Sequence, residues 1–250
     1  MNELINKRIL VTGASSGIGR AVAIMAASLG ASIILIARDE KRLKETLNTL
    51  QGTGHQIYSI DATDYSKIEE TINEEVGIRG PISGFVHCAG VEKTISFKAS
   101  TATIFKQIFE INVFAGFEIA RILSQKKIVS DQGASFVFLS SVMGKIGKTG
   151  AVAYCASKSA LLSGVKAMAL ELASKRIRCN CVLPGVVETE LVQNLFKTLP
   201  EESIQKILDG HPLGLGRPED VASLICFLLS DQARWITGSE YTIDGGYSSQ

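Results

Sequence analysis

The stretch RILVTGASSGIGRAVA, residues 8–23, sets glycines at 13, 17 and 19 between an apolar run and a helical pattern. Gly13 permits a turn that side chains resist, Gly17 lets backbone approach a ligand, and Gly19 lets helix and strand pack closely. A helix starting there offers unpaired N–H groups and positive partial charge, which suit a pyrophosphate. Glycines alone read as a plain turn. Strand, triplet and helix in this order favour a bound dinucleotide, although the spacing G-x-x-x-G-x-G is not the G-x-G-x-x-G fingerprint.

Outward from this loop, apolar β-branched runs alternate with helical patterns. Strands are expected at Arg8–Val11, Ser32–Ala37, Gln56–Ile60, Gly84–His87, Ser135–Ser140, Arg178–Leu183 and Glu240–Ile243. Helices are expected at Arg20–Leu29, Glu40–Leu50, Tyr65–Glu75, Thr103–Ser124, Tyr154–Ala173 and Pro218–Ser230. Runs such as IILIA and FVFL are apolar throughout, as in strands buried on both faces of a parallel sheet. Parallel neighbours need right-handed crossovers, usually helical. The expectation is one α/β domain over residues 1–250: a doubly wound, Rossmann-type parallel sheet of seven strands with helices on both faces. Ligands bind such sheets beyond the strands' carboxyl ends. Small, polar or turn-forming residues follow the strands here: TGASSGIG, Arg38, Asp61-Ala62, Cys88-Ala89-Gly90, Ser141 and Pro184-Gly185.

Composition agrees. The 250 residues are 46% hydrophobic and 20% charged, enough for a substantial core. A formal charge of +1 gives no reason to expect nucleic acid or an anionic membrane as partner. No apolar run approaches a membrane span, and the strand-like segment beginning near residue 8 leaves no room for a signal peptide. Five cysteines make no disulfide scaffold, so a reducing, cytoplasmic setting is expected. Cys179 and Cys181 alternate within RIRCNCVLPG and face one side of a strand, as a metal or redox pair or, better supported, as buried thiols.

The glycine spacing, together with YCASK at 154–158, resembles the short-chain dehydrogenase/reductase family. The likeness runs nearly the length of the chain: TGASSGIG (12–19), D-A (61–62), CAG (88–90), IN (111–112), SS (140–141), Y-x-x-x-K (154–158), PG-x-x-x-T (184–189), GRPEDVA (216–222) and IDGG (243–246). It resembles the 250-residue members, such as 3-oxoacyl-(acyl-carrier-protein) reductases. The resemblance implies cofactor contacts at Gly13, Ser15, Ser16, Gly17, Ile18, Gly19, Arg38, Asp61, Ala62, Cys88, Ala89, Gly90, Pro184, Gly185, Val187 and Thr189, besides Tyr154 and Lys158. Thr189 is expected to meet the nicotinamide carboxamide. One departure stands out: Cys88 occupies the place of the family's asparagine, and a thiol replaces an amide poorly, so some loss of loop support is expected.

After the second strand, an acidic residue would accept from the ribose 2′-hydroxyl of NAD, whereas arginine would meet the 2′-phosphate of NADP. Arg38 stands there and favours NADP(H) over NAD(H). Asp39 either contacts ribose or caps a helix, with Arg42 and Glu45 on the solvated face; capping is the better reading.

Tyr154 precedes Lys158 by four residues, one helical face. A free phenol titrates near 10, and about 4 kcal/mol of preference for phenolate brings it to about 7. Lys158 and an oxidised nicotinamide supply the right sign of field. In the family reading Tyr154 is the general acid/base, Lys158 lowers its proton affinity and holds the nicotinamide ribose, and Ser141 holds the substrate oxygen. Asn112 resembles the helix asparagine whose backbone carbonyl holds a water near Lys158. The implied reaction is reversible hydride transfer between cofactor and a carbonyl/secondary-alcohol pair. A catalytically silent nucleotide-sensing protein on the same fold is the alternative, and retention of Ser141, Tyr154 and Lys158 argues against it.

No metal is implied, since His55, His87 and His211 lack ligand-spaced partners, and His87 reads as a satisfied core or edge residue. Residues 189–217 are apolar at helical spacing and read as a substrate lid or as two surface helices. Lys145 and Lys148 either greet an anionic substrate or sit on a solvated loop. The substrate stays open among 3-oxoacyl thioesters, small ketones, sugars and polyols. The resemblance also implies a homotetramer built through the long helices and the C-terminal strand.

Overall fold

The computed structural model describes residues 3–197 and 199–249, apart from the side chain of Leu191. Seven parallel strands form one sheet: β1 (Arg8–Thr12), β2 (Ser32–Ala37), β3 (Gln56–Ser59), β4 (Gly84–His87), β5 (Ala134–Leu139), β6 (Ile177–Pro184) and β7 (Glu240–Ile243). Their order is β3-β2-β1-β4-β5-β6-β7, so the winding reverses between β1 and β4. In open α/β sheets that reversal opens a crevice between the two loops at the strand ends. Here those loops are the glycine loop and Cys88-Ala89-Gly90.

Helices α1 (Gly17–Ser28), α2 (Glu40–Leu47), α3 (Tyr65–Arg79), α4 (Ala102–Phe109), α5 (Ala115–Leu123), α6 (Val152–Leu172), α7 (Glu190–Phe196), α8 (Glu201–Asp209) and α9 (Pro218–Leu229) follow in chain order. Side-chain alternation splits the core into two layers. Leu10, Ile34, Ile36, Phe136 and Phe138 pack with residues of α3, α5 and α6. Ile9, Val11, Ile33, Leu35 and Val137 pack instead with residues of α1, α2 and α9. Cys179 and Cys181 share the first layer as buried free thiols, with burial pushing both up to about 12.

The expected seven strands and doubly wound Rossmann fold are found, with strand ends shifted by a residue. Helix ends depart further: α2 stops at Leu47, three residues short of Leu50, and α3 runs four residues past Glu75 to Arg79. Helix α1 starts at Gly17, three residues earlier than its apolar pattern suggests, because the glycines form its first turn rather than precede it. The expected single helix over Thr103–Ser124 is broken by a π-turn at Glu110–Phe114, centred on Asn112. Such insertions favour functional sites because they free backbone groups from the regular ladder.

Candidate active site

The glycine loop lines a cavity of about 840 Å³ that continues past Ser141, Tyr154 and Lys158 to α7 and α8. Gly13 has φ +67°, and a Cβ there would lie 2.9 Å from the Ala89 nitrogen. A Cβ on Gly19 would overlap the Gly13 carbonyl. Only glycine lets these segments approach so closely, and the close approach leaves the start of α1 open to the cavity. Ser15, Ser16, Gly17 and Ile18 line the same wall, and the Ser16 side chain makes no cap bond to the helix it precedes. A dinucleotide's pyrophosphate fits this cradle.

Along the same cavity wall, Arg38 lies 3.9 Å from the Asp61 carboxylate; Arg38 is exposed and Asp61 half-buried. Asp61 also accepts from the Thr63 backbone and hydroxyl, which hold its carboxyl below the ordinary range despite partial burial. Asp39 caps α2, accepting from the Arg42 backbone nitrogen at 3.0 Å. Arg42 is not merely solvated: its guanidinium lines the cavity and is ion-paired to Glu190. Ala62 lies beside Asp61 in the same wall.

The loop after β4 is held by three side chains. Thr12 Oγ1 accepts from the Ala89 nitrogen at 3.3 Å and bonds His87 Nδ1 at 3.0 Å. His87 Nε2 faces the Ile111 carbonyl of the π-turn at 3.1 Å, so that nitrogen carries the proton and Nδ1 accepts from Thr12. Burial, reinforced by the Lys158 charge, drives the imidazole down to about 3 and keeps it neutral. His87 is thus the satisfied core residue expected, and also a brace from glycine loop to π-turn. Asn112 is fully buried and grips Val91 at both ends, accepting from its nitrogen at 2.8 Å and donating to its carbonyl at 3.0 Å. These bonds give the loop its support without an amide at position 88. Cys88 serves as apolar packing instead, its thiol pushed up to about 12 by burial.

Alternation at the end of β5 turns the two serines apart, as expected. Ser140 Oγ donates to the Lys158 carbonyl at 2.9 Å, whereas the Ser141 hydroxyl accepts from the Met143 nitrogen at 3.2 Å and lies on the Tyr154 side, where it favours the ionised phenol. Lys158 is buried; its ammonium donates to the Leu139 carbonyl at 2.7 Å and sits 5.7 Å from the centre of the Tyr154 ring. Burial pulls Lys158 down to about 8, opposed by nearby Cys88, Cys181 and Glu92. Tyr154 moves opposite to the sequence expectation: burial first and the Glu92 charge second push its phenol well above the usual tyrosine value. Ser141 pulls the other way and does not prevail. Among the protein's own groups, therefore, the phenol is held firmly as an acid.

Glu92 was not visible in the sequence as a site residue. It lines the cavity and pairs with Lys148 at 3.3 Å, while Lys145 pairs with Glu240 at 2.9 Å. Both lysines are compensated by carboxylates.

Pro184, Gly185, Val187 and Thr189 form the wall beyond β6. Thr189 caps α7, accepting from the Val192 nitrogen at 3.4 Å, and its methyl carbon would lie 3.2 Å from a Cβ on Gly17. His211 is a second unread brace: Nδ1 donates to the Ile207 carbonyl at 2.7 Å and Nε2 accepts from the Val186 nitrogen at 3.2 Å. It ties the end of α8 to the loop beyond β6. Val192, Leu195, Phe196 and Ile207 give this side of the cavity an apolar lining.

Residues 13–248 match a family model described as enoyl-(acyl-carrier-protein) reductase. The chain is similar to (3R)-3-hydroxyacyl-CoA dehydrogenase of Homo sapiens, with 31% identity over 98% of this chain and 97% of that protein. It is equally similar to 3-oxoacyl-(acyl-carrier-protein) reductase of Thermotoga maritima, with 32% identity over 98% of each. Among solved structures, a 7α-hydroxysteroid dehydrogenase complexed with NADH and 7-oxo glycochenodeoxycholic acid superposes with a TM-score of 0.90. It shares 27% identity over 98% of this chain and 95% of that one. A glycine cradle at the winding reversal, matched along nearly the whole chain by such relatives, places this protein in the short-chain dehydrogenase/reductase family of oxidoreductases acting on carbonyl and CH–OH groups.

Proposed function

We propose that the protein is an NADP(H)-dependent reductase of 3-oxoacyl thioesters or similar ketones, reversible toward the secondary alcohol, with Tyr154 as general acid/base. The observation carrying this reading is that Ser141, Tyr154 and the buried Lys158 ammonium, 5.7 Å from the phenol ring, line one cavity with the glycine cradle. The glycine loop and the walls at Asp61-Ala62, Cys88-Ala89-Gly90 and Pro184–Thr189 would hold the dinucleotide, which when bound would supply or accept the hydride. Ser141 and Tyr154 bind the substrate oxygen, and Tyr154 donates the proton as the carbonyl is reduced. Lys158 stabilises the phenolate left behind and reaches the nicotinamide ribose, while Asn112 offers its backbone carbonyl to a proton path. Thr189 would meet the carboxamide. An acyl chain suits the apolar lining from Val192, Phe196 and Ile207, and residues 189–217 serve as its lid.

Purified protein is tested against 3-oxoacyl thioesters, diketones, simple ketones and keto-sugars with NADPH and with NADH. The expected outcome is turnover of short 3-oxoacyl thioesters with kcat/KM at least about tenfold higher for NADPH, the worth of one good charge-assisted phosphate contact. Equal efficiency with NADH removes the NADP preference, and no turnover of any carbonyl would favour the nucleotide-sensing alternative.

The protein is further proposed to act in the cytoplasm as a homotetramer, assembled through α5, α6 and β7. Phe114 and Leu170 support this reading, standing 50% and 82% exposed on the helical side. Among the described residues no helix is long and apolar enough to cross a membrane. Light scattering should give four times the chain mass; a monomer refutes the assembly.

A further inference from the structure

We infer that Arg42 is a second recognition residue for the cofactor's 2′-phosphate and that Glu190 competes with that phosphate for it. The inference rests on the NADP(H) reading above and extends it from Arg38 to a residue on α2 and its partner on α7.

Helix α2 is fixed against the glycine loop. Its cap is Asp39, and the buried Thr46 hydroxyl shares its proton between the carbonyls of Ala14, at 3.2 Å, and Arg42, at 3.1 Å. Residues 42 and 46 are one turn apart, so the face turned to the loop is also the face that carries Arg42. Arg42 therefore lines the same cavity as Arg38. Glu190, the first residue of α7, meets it from the opposite wall, directly after Thr189 has packed against Gly17. The ion pair thus bridges α2 and α7 across the phosphate loop.

Both arginines in the cavity wall carry a carboxylate: Arg38 has Asp61 and Arg42 has Glu190. The Arg42–Glu190 pair is substantially exposed, 36% and 57%, and exposed pairs are held weakly. A phosphate monoester brings more charge than a carboxylate and three acceptor oxygens that match the guanidinium fork. It wins the exchange, and Arg42 passes from the α7 carboxylate to the ligand. A cofactor lacking the 2′-phosphate leaves the bridge intact. Discrimination between the two dinucleotides is then set partly by Glu190, a residue on the wall opposite the arginines.

Isothermal titration with 2′,5′-ADP and with 5′-AMP, which differ by the 2′-phosphate alone, separates the possibilities. Wild-type protein is expected to bind 2′,5′-ADP more tightly. Arg42→Gln should weaken 2′,5′-ADP about tenfold and leave 5′-AMP unchanged. Glu190→Gln should tighten 2′,5′-ADP about threefold to fivefold, again with no effect on 5′-AMP, and should do nothing in the Arg42→Gln background. If the wild type prefers 2′,5′-ADP but neither variant alters that preference, Arg38 acts alone and the inference is overturned while the NADP reading stands. Equal changes for both ligands also overturn it, since Arg42 would then shape the cavity without reading the phosphate. A wild type indifferent to the 2′-phosphate sinks the NADP reading and this inference with it.

Discussion

Tyr154→Phe should lower kcat for carbonyl reduction by about a thousandfold while the dissociation constant for NADPH stays within about twofold. The substitution removes one oxygen from a half-buried ring and leaves its volume, so the fold is undisturbed. On the proposed reading what disappears is the proton donor, and positioned general acids contribute roughly 10²–10⁴ in rate. Ser141 remains to hold the substrate oxygen, but an alcohol hydroxyl is a far weaker acid than a phenol. Cofactor affinity is retained because most of the cavity wall that holds it lies at the glycine loop, Asp61 and Pro184–Thr189, away from the phenol. Stopped-flow fluorescence for binding and steady-state NADPH oxidation for turnover check both halves. Turnover within about threefold of wild type would remove Tyr154 from the chemistry.

The second large effect concerns Lys158. Its ammonium lies 5.7 Å from the Tyr154 ring centre. At an effective dielectric of about 20, a unit charge at that distance is worth roughly 3 kcal/mol to a phenolate. Lys158→Met should therefore cost about a hundredfold in kcat. The wild-type profile carries a sign that can be worked out. Burial holds Lys158 down to about 8, below the ordinary lysine value, so it is charged at neutral pH and loses its proton above about pH 8. Tyr154 is pushed the other way and stays protonated across that range. Reduction should run level below about pH 7 and decline above about 8, and the decline should vanish in Lys158→Met. A decline that survives the substitution would place the titrating group elsewhere.

The parallel sheet was readable because IILIA and FVFL are apolar on both faces, a pattern few other settings tolerate. The glycine cradle was readable because close approach at Gly13 and Gly19 excludes every larger residue. Asp39 as a cap, the divergence of Ser140 and Ser141, and the burial of His87 followed from local rules. The resemblance brought Asn112, Ser141, Tyr154 and Lys158 to notice, and the structure sets the last three in the cavity wall with Asn112 buried behind it against Val91. The π-turn at Glu110–Phe114 was not readable, since one extra residue in a turn leaves helical composition unchanged. Nor could Arg42 be taken off the solvated face: EKRLKETL is polar on most sides, and its partner Glu190 lies 148 residues away. The direction of Tyr154 was missed because burial depends on how the loops and α6 enclose the phenol, whereas the Y-x-x-x-K spacing shows only the neighbouring charge. Glu92, two residues past Gly90, contributes to the same shift and carries no local signature.

That shift sets the demand on the proposed mechanism: a phenol so strongly protonated has to become a proton donor. The ammonium of Lys158 and the positive ring of oxidised cofactor must together outweigh burial and Glu92. Ultraviolet phenolate absorbance in wild type minus Tyr154→Phe, titrated from pH 6 to 11 with and without saturating NADP⁺, reports this oxygen alone. The predicted result is titration above the normal tyrosine value in the free protein, a fall of about two pH units or more with NADP⁺, and a smaller fall in Lys158→Met. Titration at the same pH with and without NADP⁺ would contradict it.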